Sequence, residues 1–214
     1  MTSVADRPRR KYAPRLPPAE RREQVLDAAL AALHGRSLDD LSMESVAAQA
    51  GIAKPVIYSV FATRDDMIVS LLGREHERGL TQIEAALPLS VSGHADAVTA
   101  YTRTVDAFIR AVVAAPERWR LILTVPEHAP HQYRDDLRKG RRAVLDRTKS
   151  LAMSIADEAP GPGDLDPVLL GHAMLSIAEM LGRISIASPD RYTPAELTAF
   201  ATELARRTLQ PARP

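Results

Sequence analysis

The sequence has 214 residues, 28 Lys plus Arg against 27 Asp plus Glu, and a formal net charge of +1, with 45% hydrophobic and only 4% aromatic residues. That length suits one or two domains with a sizeable core, and a chain rich in Ala and Leu and poor in aromatics favours helices over sheets. The absence of cysteine excludes a disulfide framework, a thiolate metal site and a thiol nucleophile. There is no unbroken run of about 18 apolar residues to span a membrane. The N-terminal arginines have no apolar stretch behind them, so they do not read as a secretory signal, and a soluble cytoplasmic protein is expected.

Residues 1–18 are rich in Arg and Pro and lack periodicity, which predicts a disordered basic arm. Within residues 1–22, Arg7, Arg9, Arg10, Lys11, Arg15, Arg21 and Arg22 face only Asp6 and Glu20. Such an excess can follow phosphates or enter a minor groove, and it equally fits a tail that only aids solubility. A first helix is predicted from about Pro18 to Leu33, with Val25, Ala29 and Leu33 on one face, stopped by His34 and Gly35. In the stretch from Ser42 to Phe61, Ser42 suits an N-cap, and Met43, Val46, Ala47 and Ala50 form one apolar face. Gly51 supplies the positive φ that ends a helix. A second short helix follows, with Ile57 and Phe61 on its buried side. Helix, glycine turn and helix describe a helix-turn-helix, and the same pattern fits a hairpin in any all-α protein. Pro55 biases Lys54 away from the helical region, which places Lys54 at the cap and starts the helix at Pro55.

Thr63 caps the next predicted helix, with Asp65 and Asp66 at its positive end, and the apolar spacing carries it to about Ala86. Pro88 and the segment that follows end it. From about Ala95 to Ala114, Val98, Tyr101, Val105, Phe108 and Val112 form one helical stripe. Ala115 and Pro116 break it, and a short helix holds Trp119, Leu121, Ile122 and Leu123. Pro126 and Pro130 bracket a turn, and a long helix is predicted from about His131 to Asp157. The segment around 158–164 is a loop on composition. Asp166 with Pro167 opens a helix to about Ala187, and Thr193 to Glu196 forms a capping box that opens the last one. No repeat and no strand-like alternation of any length is found. The expected fold is all-α with about nine helices.

The run AGIAKPVIYSVFATRDDMI resembles the signature of the TetR family of bacterial transcriptional regulators. The carrying residues are Gly51, Lys54, Tyr58, Phe61 and Arg64, with RREQVLDAALAAL and LSMESVAAQAG upstream in the same order. The resemblance covers about residues 19–79, and beyond that it is one of architecture only. It implies a three-helix DNA-binding domain at 19–79, with the helix-turn-helix at 42–61, and a ligand-binding and dimerisation domain at 80–214. Ser37 stands where the family usually has Gly, and Pro55 and Val60 are also atypical. Val60 is apolar where relatives often carry a polar or aromatic residue, which removes one phosphate contact.

By this resemblance, Tyr58 and Arg64 hold phosphates, helped by the hydroxyls of Ser42 and Thr63, while Lys54, Pro55, Val56 and Ser59 face bases or the groove wall. Lys54 can donate to guanine, and Pro55 or Val56 can pack on a thymine methyl. Core packing is the competing reading for Tyr58. A single head reads few base pairs, so the resemblance implies a homodimer on a near-palindromic operator. The last two helices are the expected interface, with Ala173, Ala178, Gly182, Ala201 and Ala205 allowing close approach or simply packing within the chain. The body is expected to enclose a cavity for a hydrophobic or amphipathic molecule. Its candidate lining is Tyr101, Phe108, Trp119, His128, Tyr133, Met153, His172 and Met174, each of which also fits plain core packing.

No metal and no cofactor are expected. His128 and His131 are separated by Pro130 and lack a third ligand, and His76 and His94 are isolated. No phosphate loop, nucleophile elbow or H-E-x-x-H motif points to an enzyme. The expected function is a repressor released from its operator by a small molecule. Its rivals are an activator or ligand-independent regulator of the same family, and a helical small-molecule binder whose head no longer binds DNA.

Overall fold

The computed structural model describes residues 16–87, 96–158 and 165–209, with the side chains of Ala97, of residues 155–158 and of Leu209 left aside. The basic arm up to residue 15, the segment 88–95 with His94, the loop 159–164 and the side chain of Ile155 therefore lie outside the described residues. Among those described, nine α-helices and one 3₁₀ turn make an all-α fold with no strand.

The first four helices form a small head. Helix α1 (Pro18–Ala32) buries Val25, Leu26 and Ala29. A 3₁₀ turn at Leu38–Asp40 leads into α2 (Met43–Ala50). At its start Ser42 Oγ accepts from the Ser45 amide at 3.1 Å, and Ser45 Oγ accepts from the Ser42 amide at 3.0 Å, so two orphan donors are satisfied. Gly51 ends α2 in the left-handed region, at φ 65°, where a side chain would be strained. Helix α3 (Lys54–Tyr58) follows after two residues.

Helix α3 begins one residue earlier than expected. Ala53, with φ −74° and ψ 147°, is the cap, and Lys54 and Pro55 are the first two helical positions. The Val56 amide reaches the Ala53 carbonyl at 2.8 Å, a three-residue closure that draws Lys54 into the turn. Pro55 is tolerated because the amide at the second position also lacks an intrahelical acceptor. Ile57 and Phe61 are buried as expected and join Val46, Met67 and Leu71 in the head's core. Burying an Ile or Phe contributes about 1.5–3 kcal/mol each.

Helix α4 (Arg64–Ala86) starts at Thr63, whose hydroxyl accepts from the Asp66 amide at 3.1 Å, and runs out of the head into the body. With 23 residues it is about 34 Å long. The body holds α5 (Ala97–Ala114), α6 (Pro116–Leu123), α7 (His131–Glu158), α8 (Pro167–Ala187) and α9 (Pro194–Leu209). Helix α5 packs on α9 and α8, and α7 on α8, around a second core that includes Val105, Ile109, Leu151 and Leu181. The expected capping box of α9 is present: Glu196 Oε2 accepts from the Thr193 amide at 2.8 Å, and Thr193 Oγ1 from the Glu196 amide at 3.2 Å.

The head's core does not close on its own. Leu121, Ala129 and Tyr133, from α6, its following turn and α7, belong to the same buried cluster as Val25 and Ile57. Above that cluster sits a buried carboxylate. Glu75 is fully enclosed and meets Arg74 at 2.7 Å, Arg118 at 2.7 Å and Arg78 at 3.5 Å. Arg74 continues to Glu23 and Asp27 of α1, at 3.0 and 2.8 Å, so the network ties α1, α4 and α6 together.

Of the described helices, α8 alone is long and apolar enough by length and composition to cross a membrane, with a window of mean hydropathy 1.2 of which 28% is buried. Only Glu179 and Arg183 among its residues are charged at neutral pH, which is why it meets this measure without an unbroken apolar run.

Candidate functional site

On the head, α3 presents one face outward. Lys54, Pro55, Tyr58 and Ser59 are exposed, Val56 is half-buried, and Ile57 alone turns fully inward. The core alternative for Tyr58 fails, because 45% of it is exposed. Its ring lies 5.9 Å from Lys54 Nζ, within range of a cation–π contact. The Lys54 ammonium is ion-paired with Glu44 of α2. That hydrogen bond holds the Glu44 carboxyl below, and the Lys54 ammonium above, its ordinary value. Ser59 Oγ donates to the Val56 carbonyl at 2.7 Å. Ser42 and Thr63 use their oxygens as acceptors at the helix starts, which leaves each hydroxyl proton to donate.

Arg64 is placed differently from its expected phosphate role. Its Nε donates to the Leu41 carbonyl at 2.6 Å, and its Nη2 to the Leu38 carbonyl at 2.9 Å and, more weakly, the Asp39 carbonyl at 3.4 Å. The guanidinium thus braces the 3₁₀ turn ahead of α2. Of the seven basic residues within 1–22, Arg21 and Arg22, both in α1, are described. Arg22 lies 4.4 Å above the Phe61 ring and donates to Ser70 at 2.6 Å.

In the body, α4 to α8 surround a cavity of ≈ 660 Å³ of empty space, its mouth included. Tyr101, Phe108, Trp119 and Met174 line it, and four other expected residues do not. His128 sits on the surface and meets Asp39 at 3.0 Å. Tyr133 is buried in the head's cluster, donating to the Leu121 carbonyl at 3.0 Å. Met153 and His172 fall on outward positions of α7 and α8. The remaining wall is plain aliphatic, including Ile83, Val105, Val144 and Leu151. No sequence signal marks such residues, because a cavity is decided by what fails to fill it.

The polar atoms of this wall are mostly committed internally. Tyr101 Oη donates to the Met174 carbonyl at 3.4 Å, and Thr148 Oγ1 to the Val144 carbonyl at 2.9 Å. Burial pushes the Tyr101 phenol well above its ordinary value, so it stays neutral. The exception is Trp119. It is fully buried, and its indole N–H has no acceptor among the described residues. An unpaired buried donor costs about 1–3 kcal/mol, which a ligand acceptor would recover. No group of three or more metal-ligating side chains occurs among the described residues.

Residues 25–71, spanning α1 to the middle of α4, match the family described as "Bacterial regulatory proteins, tetR family". The head is of the TetR type over these residues. The chain is 39% identical over 59 residues to the HTH-type transcriptional repressor KstR of Mycolicibacterium smegmatis, covering 28% of this chain and 29% of that one. It is 26% identical over 106 residues to an uncharacterized HTH-type transcriptional regulator of Mycobacterium tuberculosis, covering 49% and 43%. The chain thus spans less than half the length of the curated relatives it matches.

The TetR-like architecture extends further than that identity. A TetR-like regulator from Rhodococcus sp. RHA1 superposes with a TM-score of 0.71 at 22% identity, covering 92% of this chain and all of that one. The regulator FadR from Bacillus subtilis, solved with stearoyl-CoA, gives 0.64 at 14% identity over 89% and 99%. At such identities the likeness concerns the fold alone.

Proposed function

We propose that this protein is a transcriptional repressor that holds a near-palindromic operator as a homodimer and releases it when a small hydrophobic or amphipathic molecule fills the body cavity. The carrying observation is the course of α4. Its first turns, with Met67 and Leu71, are core of the head, and its end, with Ile83 and Ala86, is wall of the cavity. A ligand that tilts or shifts this rod moves α3 with it and changes the distance between two paired heads. The coupling is reciprocal, so operator DNA weakens ligand binding by the same factor. The names of two relatives agree with this reading, one being called a repressor and the other having been solved with stearoyl-CoA.

In this docking, Tyr58 holds a phosphate and Lys54 reads a base edge, with Pro55 and Val56 against the groove wall. Ser42 and Thr63 donate to phosphates, and Arg64 supports them by fixing the turn before α2. Dimerisation uses α8 and α9, where Leu169, Met180 and Phe200 are exposed on the single chain. Electrophoretic shifts against the DNA upstream of the gene test the reading. Tyr58→Phe is expected to weaken all duplexes alike, and Lys54→Ala to flatten the preference between operator variants. Absence of a shift at low salt with any duplex would instead favour a small-molecule binder with an inactive head.

A further inference from the structure

Beside the apolar cavity lies a second hollow of ≈ 1020 Å³ of empty space, its open side included. The two share Ile83, Ile122, Leu123 and Val144 as walls. Their chemistry is opposite. The first is lined almost wholly by hydrocarbon, whereas the second gathers Arg134, Arg138, Arg141 and Arg183 with His76. Acidic partners only partly match this charge. Arg138 pairs with Asp135, and Arg141 pairs with Glu179 at 2.7 and 3.2 Å. Arg134 is spent on the carbonyls of Ala129 and Glu127, which orient its guanidinium without neutralising it. Arg183 has no ion pair or hydrogen bond among the described residues.

The geometry points to a single bipartite site for an anionic amphiphile, with an aliphatic or alicyclic tail in the apolar cavity and a carboxylate or phosphate head in the arginine-lined hollow. Glu179 is the one acid in the wall of the apolar cavity, and Arg141, which holds it, lines the hollow. Their ion pair therefore stands at the boundary. An anionic head competes with Glu179 for Arg141 and finds Arg183 beside it, and guanidinium forks suit either a carboxylate or a phosphate. The inference rests on the effector reading above and adds the polar end of the ligand.

Trp119 is the only tryptophan and is buried in the cavity wall, so its emission reports occupancy in the intact protein. Decanoate, decyl phosphate and decanol are titrated against it. The two anions are expected to act at concentrations roughly tenfold below that of decanol. Arg183→Glu should narrow that gap by roughly fivefold while leaving the decanol titration and the thermal midpoint unchanged. A preference for only one of the anions sustains the inference and names the head group. Decanol binding as tightly as both anions, or a preference that survives Arg183→Glu, overturns it while leaving an apolar effector standing. No change in emission with any of the three overturns the effector reading as well.

Discussion

In the proposed docking Lys54 meets a base edge, and in the structure it is held by Glu44. The pair is well exposed, 55% on the lysine side and 59% on the glutamate side, so it contributes little to stability. Its significance is for binding. To reach a base, Lys54 has to leave a carboxylate that would itself face the phosphate backbone. Replacing Glu44 by Gln is predicted to tighten binding to every duplex by roughly two- to fivefold at low salt, with the gain fading as salt rises. Anisotropy titrations at several salt concentrations check this, and an unchanged affinity would mean that Glu44 stays clear of DNA. At this scale, exposed positions were readable from the sequence. Lys54, Pro55, Tyr58 and Ser59 lie outward as the family resemblance implied, and Ile57 and Phe61 lie inward as their spacing implied. Arg64 was not readable in the same way. Its partners are backbone carbonyls of Leu38 and Leu41, groups that every residue carries and no letter distinguishes.

Helix boundaries were largely written in the caps. Ser42, Thr63, Asp166 and Thr193 each start the helix expected of them, since a side-chain acceptor there replaces a missing backbone one. The start of α3 moved by one residue because a local three-residue closure outweighed the conformational bias of the residue before Pro55. The larger omission concerns α4. Glu75 reads as one more charge on a polar face, yet it is the enclosed centre of the network joining α1, α4 and α6. Periodicity within a helix cannot reveal which turn passes beneath a neighbour. Glu75→Gln leaves Arg74, Arg78 and Arg118 facing each other without their shared anion. Breaking a buried pair in this way costs about 3–5 kcal/mol, and calorimetry should show a midpoint lower by roughly 10 °C. Glu23→Gln, on the exposed fringe of the network, should cost less than about 1 kcal/mol. Equal losses in the two variants would deny Glu75 its central position.

At the scale of the whole molecule, the all-α plan and the two-part layout followed from periodicity and from the resemblance of the first third of the chain. The cavity was half legible: its bulky members Tyr101, Phe108, Trp119 and Met174 stood out, and its aliphatic walls did not. The small residues offered for the subunit interface mostly serve the chain itself. Ala201 and Ala205 are buried, Ala178 lines the cavity, and a Cβ on Gly182 would lie 2.9 Å from Leu123 and Phe108. Ala173 remains outward, on the same side of α8 as Leu169 and Met180. The double variant Leu169→Glu, Phe200→Glu is predicted to sediment as a folded monomer and to lose preference for paired half-sites over one. A variant that still sediments as a dimer would move the interface elsewhere. The shared core of head and body also bears on how the protein is made. The head leaves the ribosome first, and domains generally fold in that order. Yet Leu121, Ala129 and Tyr133 complete its core, and Arg118 completes the cage around Glu75. A nascent chain halted just after α4 therefore carries an unfinished head with apolar side chains open on one side. In the proposed reading, competence to find DNA is then acquired only late in synthesis, once the half that holds the cavity has begun to form.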